Sequence, residues 1–398
     1  MTVFSIPVDF ILFALTLLGV AIFHHKTLHV ALTGLAVIVI YKFAVTGFPQ
    51  GPAAVGFLQH MAHEAPILSN LFLLLTGFAV LARHFEDSKV PDALPSVLPD
   101  TWIGGLALLA LIFVLSAFLD NIAAALIGGT AARHVFKNRV HIGYLAAIVA
   151  ASNAGGSGSV LGDTTTTMMW IGGISPFAVD HAYAAAVPAF FVFAIPAALQ
   201  QHRYQPILKD PPAAIAIDHR RIGVVIFILA AAVGANILGT SLAPAVMAHI
   251  PVLGLAVWAA IIAAATVRRP DWQTAREAVP GTIFLLALVL SASLMPVEKL
   301  PEATWHTTFG LGFLSAVFDN IPLTALALRQ GGYDWGALAF AVGFGGSMLW
   351  FGSTAGVAIS NQYPEARSAV AWVKAAWYIP LAYVIGFAVL MATLGWRP

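Results

Sequence analysis

Two short stretches set an acid beside an amide inside apolar sequence. Ser116-Ala117-Phe118-Leu119-Asp120-Asn121-Ile122 interrupts the run 102–136, and Ser315-Ala316-Val317-Phe318-Asp319-Asn320-Ile321 interrupts the run 304–330. A third carboxylate, Asp163, lies in the stretch 141–173, among Asn153, Ser157, Ser159 and the four consecutive threonines Thr164 to Thr167. The stretch 334–360 is built alike, with Ser347, Ser353 and Thr354. Carboxylates, amides and hydroxyls are hard oxygen donors, which suit a small hard cation such as Na+ or Li+. Burial favours the neutral form of a carboxyl, so one such site could hold either a cation or a proton. Competition between the two for one carboxylate is exchange.

The same residues have a plainer reading as helix caps. Asp120 or Asn121 could cap 122–134, Asn320 a helix with Pro322 in its first turn, and Asp163 a helix over 164–171. Serine or asparagine would cap at lower cost, however. A charged group costs about 2.5–3.5 kcal/mol at the centre of a membrane helix. Asp163 is matched in the second half by Ser353, and Asn153 by Gly343, so the first break is the richer in ligands and is expected to hold the main ion. Successive helical residues face different directions, so only one or two of the four threonines can be ligands, Thr164 and Thr165 being the candidates.

Such residues need a frame, and composition supplies it. Of 398 residues 60% are hydrophobic and 9% charged, with a mean hydropathy of +0.87. A soluble domain carries about 25% charged residues, so a soluble enzyme, a nucleic-acid binder and a disordered chain are excluded. A polytopic membrane protein remains. The net charge of +1 recruits no partner by bulk field, and the absence of cysteine excludes disulfides, thiolate metal sites and cysteine nucleophiles. Met1 to Phe23 lacks a basic leader region, so it is expected to be a retained span.

Apolar runs predict spanning helices near 6–23, 28–48, 66–85, 183–200, 221–239, 250–267, 280–297 and 372–394. Each Asp-Asn pair could sit midway along a span or at the tip of a re-entrant hairpin. Lys and Arg concentrate in cytoplasmic loops. The hairpin arrangement puts fifteen of the nineteen on one side, against thirteen if both stretches cross. It gives ten crossings and two hairpins, with both termini outside. Residues 201–220 form a cytoplasmic linker between halves 1–200 and 221–398.

Those halves repeat. The two Asp-Asn heptapeptides share five of seven residues at a spacing of 199. Gly155-Gly156-Ser157 with Gly162-Asp163-Thr164 matches Gly345-Gly346-Ser347 with Gly352-Ser353-Thr354 at a spacing of 190. Five crossings per half is odd, so the second half is inverted. Inverted repeats with broken helices point to a secondary transporter whose site lies at the midplane. The fold class is therefore an all-α membrane protein of two inverted repeats, each of five spans and one hairpin.

These motifs resemble the ion transporter superfamily, which includes NhaD-type sodium/proton antiporters, arsenite permeases and divalent-anion/sodium symporters. The symporter branch carries Ser-Asn-Thr at its hairpin tips, whereas this chain has Asp120-Asn121 and Asp319-Asn320. The added charge favours cation exchange. The resemblance gives Asp120, Asn121, Asp163, Asp319 and Asn320 the ion-site role, and it implies a homodimer with a scaffold and a moving transport domain. The expected function is Na+(Li+)/H+ antiport in the bacterial inner membrane, with Na+, H+ and membrane lipid as partners and neither cofactor nor nucleic acid. The alternative is a Na+- or H+-coupled symporter of an organic or inorganic anion, which half-helix N-termini could hold without a Lys or Arg. No nucleophile–base pair or metal cluster supports a membrane enzyme. His60, His63 and Glu64 are weaker candidates for proton handling, and His24, His25 and His29 are expected at an interface.

Overall fold

The computed structural model describes residues 2–3, 6–23, 26–48, 51, 53–90, 93, 98–207, 216–242, 246 and 249–398. His24, His25 and residues 208–215 of the linker lie outside these. In chain order the helices are α1 (Val8–Ile22), α2 (Thr27–Tyr41), α3 (Ala53–Asp87), α4 (Trp102–Ser116), α5 (Asn121–Val135), α6 (Ile142–Ser157), α7 (Thr164–Ile171), α8 (Pro176–Val179) and α9 (Tyr183–Tyr204). They continue as α10 (His219–Leu242), α11 (Val252–Ala264), α12 (Trp272–Ser293), α13 (Trp305–Ser315), α14 (Asn320–Gln330), α15 (Trp335–Gly345), α16 (Thr354–Gln362), α17 (Ala369–Ala375) and α18 (Tyr378–Thr393). Among the described residues, extended pairing consists of Thr2–Val3 against Ile6–Pro7 and an isolated bridge between Phe48 and Gly51. Four helical stretches there are long and apolar enough to cross a bilayer: Thr27–Thr46, Ala54–Asp87, Pro176–Tyr204 and Trp272–Ser293. α1, α4, α11 and α15 are apolar but shorter.

The chain divides into two compact units, each drawing on both sequence halves. The first comprises Met1–Phe85, His219–Leu300 and Leu328–Gln330. Within it α1 packs on α2, α2 on α12, and α10 on α11. Lys42 and Asp9 form an ion pair of 2.8 Å with both side chains buried, which satisfies two charges that apolar surroundings would otherwise exclude.

α3 begins at Ala53, well before the expected start at residue 66. The intervening residues read as loop because they carry His60, His63 and Glu64. In the fold His60 Nε2 lies 2.8 Å from Ser293 Oγ, and Arg329 donates to Glu64 over 2.8 Å. Partners from distant sequence permit the burial of residues that look like surface. The expected span 372–394 is instead broken into α17 and α18, bent by 61°. Pro380 explains it: in a continuous helix its ring would meet the carbonyl of Ala376, and the helix stops there.

The second unit comprises Glu86–Asp218, Pro301–Ala327 and Gly331–Pro398. Its centre is α6 and α15, which touch one another. Every residue of α6 from Gly143 to Ser157 is buried, as is every residue of α15 from Gly336 to Gly345. A helix with small and apolar residues on all sides can be enclosed on all sides. α4, α5 and α9 pack on α6, while α13 and α18 pack on α15.

Candidate functional site

Each motif breaks a helix and caps the next. Asp120 accepts the N–H of Ile122 at the start of α5 over 3.1 Å, and Asp319 that of Ile321 at the start of α14 over 3.0 Å. Their backbones agree closely, with φ −51° and ψ 142° at Asp120 and φ −51° and ψ 141° at Asp319. Asp163 caps α7 through the N–H of Thr165. Ser353 caps α16 through that of Gly356, again with matching φ of −144°. All four are therefore caps, and their chemistry lies in what else they meet.

Tethers fix the geometry. Ser116 Oγ donates to the carbonyl of Ser152 over 2.6 Å, and Ser315 Oγ to that of Val342 over 2.6 Å. These serines open the repeated heptapeptide and tie each tip to the buried helix beside it. Close approach needs glycine: a Cβ on Gly155 would fall on the Phe113 carbonyl, and one on Gly345 on the Gly312 carbonyl. Sequence reading passed over the serines, although their repetition was visible.

The tips converge on Asp163, which is 1% exposed. Asn121 Nδ2 donates to its Oδ1 over 3.2 Å, and Asn320 Nδ2 to its Oδ2 over 3.4 Å. One amide from each tip thus shares a single carboxylate. Asn153 joins the breaks: its Oδ1 accepts from Asn121 over 3.0 Å, while its Nδ2 donates to Ser347 Oγ over 2.9 Å and Ser353 Oγ over 3.1 Å. Gly343, at the position matching Asn153, leaves room beside the carboxylate, since a Cβ there would lie 3.2 Å from Asp163 Oδ2.

Three oxygens in this region are buried without a hydrogen-bond partner: Asn121 Oδ1, Asn320 Oδ1 and Thr165 Oγ1. A buried unpaired acceptor is costly. Amide and hydroxyl oxygens are hard donors, of the kind that suit a small hard cation. The threonines divide as helical geometry requires. Thr166 and Thr167 donate back to the carbonyls of Ser159 and Val160, Thr164 reaches Asp120 Oδ1 over 3.4 Å, and the Thr165 hydroxyl faces the Asp163 carboxylate.

Other expected ligands lie further from the convergence. Among the described residues no three His, Asp or Glu side chains form one metal-holding group. Asp120 and Asp319 are half-buried at their tips, as is Thr354 beside Ser353, and Ser157 donates its hydroxyl to the Ala154 carbonyl.

Comparison with known proteins places this site in context. The sequence profile of the citrate transporter family, CitMHS, matches residues 10–345, a range that contains both Asp-Asn tips and Asp163. Sodium/proton antiporter 1 of Arabidopsis thaliana is 27% identical over 362 residues, covering 78% of this chain and 59% of that protein. Sodium/proton antiporter 2 of the same plant is 26% identical over 341 residues, covering 75% of this chain and 79% of that protein. The Na+/H+ antiporter NhaD of Vibrio parahaemolyticus is 26% identical over 357 residues, covering 75% and 84%.

Proposed function

This chain belongs to the citrate transporter family, and from that premise we propose that it exchanges Na+ or Li+ for H+ at Asp163. Membership makes it a membrane transporter and not an enzyme. The observation that carries the ion assignment is the sharing of Asp163 by Asn121 and Asn320. Both amide nitrogens are engaged by the carboxylate, so both amide oxygens are left as acceptors without donors. A cation placed among these oxygens and Thr165 Oγ1 would satisfy them. With the cation gone, a proton on the carboxyl would offset the buried charge. The relatives' names agree with this reading.

The wider frame we propose is ten crossings and two re-entrant hairpins in inverted halves, with the site at the midplane, both termini outside, in a bacterial inner membrane. A homodimer is part of the same proposal. The matched backbone angles at Asp120 and Asp319, and at Asp163 and Ser353, support the repeat. The family's name favours a second reading, cation-coupled transport of a carboxylate anion. Against it, carboxylates cap α5, α7 and α14, three of the four helix N-termini that would hold such an anion.

The test is relaxation of a pH gradient in proteoliposomes after pulses of Na+, Li+ and K+. Proton movement specific to Na+ or Li+ is expected. Silence with all three cations, from protein shown to be inserted and accompanied by Na+-driven citrate uptake, would replace antiport with anion symport.

A further inference from the structure

The second compact unit has a cavity of about 560 Å³, away from Asp163, lined by Arg139, His141, Gln200, Tyr204, Glu365 and Lys374 among others. We propose that it binds the phosphate-bearing headgroup of an anionic phospholipid. This does not rest on the antiport reading.

Three observations carry it. First, the charges are unbalanced toward an anion. Arg139 and Lys374 are both exposed, and among the described residues neither makes an ion pair with a carboxylate, while Glu365 is the one acid in the lining. The Arg139 guanidinium is positioned by the Tyr204 ring, 5.5 Å from its centroid, and the His141 ring stands edge-on to the same tyrosine at 5.2 Å. Second, the backbone bringing Arg139 there is held in an unfavourable form. Lys137 and Asn138 are consecutive non-glycine residues with φ of 51° and 63°, a conformation that costs L residues energy and persists only where surroundings impose it. Third, α17 lines the cavity through Ala371, Lys374 and Ala375, and the same segment leaves Val370 65%, Val373 44% and Trp377 60% exposed. Cations on a segment that also exposes apolar and aromatic side chains match a lipid, whose phosphate meets the cations while its chains meet the apolar surface. A soluble anion has no use for that apolar surface.

The cavity wall comes from the start of α6, the end of α9 and α17, so a bound headgroup would hold these three together. They are already linked by Gln200 Nε2 to the Ala375 carbonyl at 3.2 Å and by the His141 N–H to Gln201 Oε1 at 2.7 Å. Bound lipid should therefore raise the melting temperature.

The experiment titrates purified full-length protein with phosphatidylglycerol, phosphatidylcholine or glycerol 3-phosphate, reading binding by native mass spectrometry and stability by thermal melting. Phosphatidylglycerol is expected to bind and stabilise, and phosphatidylcholine not to. A basic residue at an anionic surface contributes about fivefold in affinity, so R139Q/K374Q should bind about thirtyfold more weakly. Removing the acid with Glu365→Gln should tighten binding, a gain that misfolding cannot mimic, and R139K/K374R should keep the affinity. Equal binding of both lipids, an unchanged affinity in R139Q/K374Q, or weaker binding in Glu365→Gln would overturn the proposal. Stabilisation by glycerol 3-phosphate as strong as by the lipid would replace the lipid with a soluble anion.

Discussion

Asp120 and Asp319 allow charge to be separated from structure. Each uses one oxygen to cap a helix, and asparagine caps as well as aspartate. Asp120→Asn should therefore remain inserted and folded yet lose cation-dependent proton movement, measured in the same proteoliposomes; wild-type exchange in this variant would remove Asp120 from the ion site. Asp163→Asn differs in kind. Its carboxylate accepts from Asn121, Asn320 and the Thr165 N–H, and an amide would turn an NH2 toward at least one of those donors. A lost buried hydrogen bond with an unsatisfied donor costs about 1–3 kcal/mol. This variant should lose transport and also melt at a lower temperature, a combination that Asp120→Asn should not show.

At the scale of elements, the helices flanking the site can approach only because glycine faces backbone. Gly155→Ala and Gly345→Ala should each destabilise by about 1–3 kcal/mol, since the added methyl meets a carbonyl that cannot swing aside. Gly310→Ala in α13, with nothing within 4 Å of its Cβ, is the control and should be neutral or slightly stabilising. Thermal melting in detergent separates them, and equal melting of all three would deny the close contact. The sequence made the breaks and tips legible because acids, amides and paired glycines stand out within apolar runs. It also made visible that the first break carries more side-chain oxygens than the second. What it hid was long-range. That Asn153 would reach Ser347 and Ser353, or that His60 would meet Ser293, depends on chain segments some two hundred residues apart, and no local pattern encodes it. The break between α17 and α18 was legible in principle, through Pro380, but a hydropathy run averages over a single proline.

For the whole molecule the decisive question is whether 102–136 turns back or passes through, because the inversion of the second half follows from the answer. Asp100 and His134 lie at opposite ends of that stretch and are both exposed, and Glu302 precedes the corresponding stretch of the second half and is exposed too. The chain contains no cysteine, so single cysteines report sidedness without background. In a hairpin entering from the cytoplasm, Asp100→Cys and His134→Cys should react with a membrane-impermeant maleimide only from the cytoplasmic side, and Glu302→Cys only from outside. A crossing stretch would put Asp100→Cys and His134→Cys on opposite faces. Inversion matters for mechanism as well as for topology. If the two halves are inverted copies, one Asp-Asn tip faces each side of the membrane, and Asp163 takes an amide from both. The shared carboxylate is then the one group that a cation arriving from either side must meet.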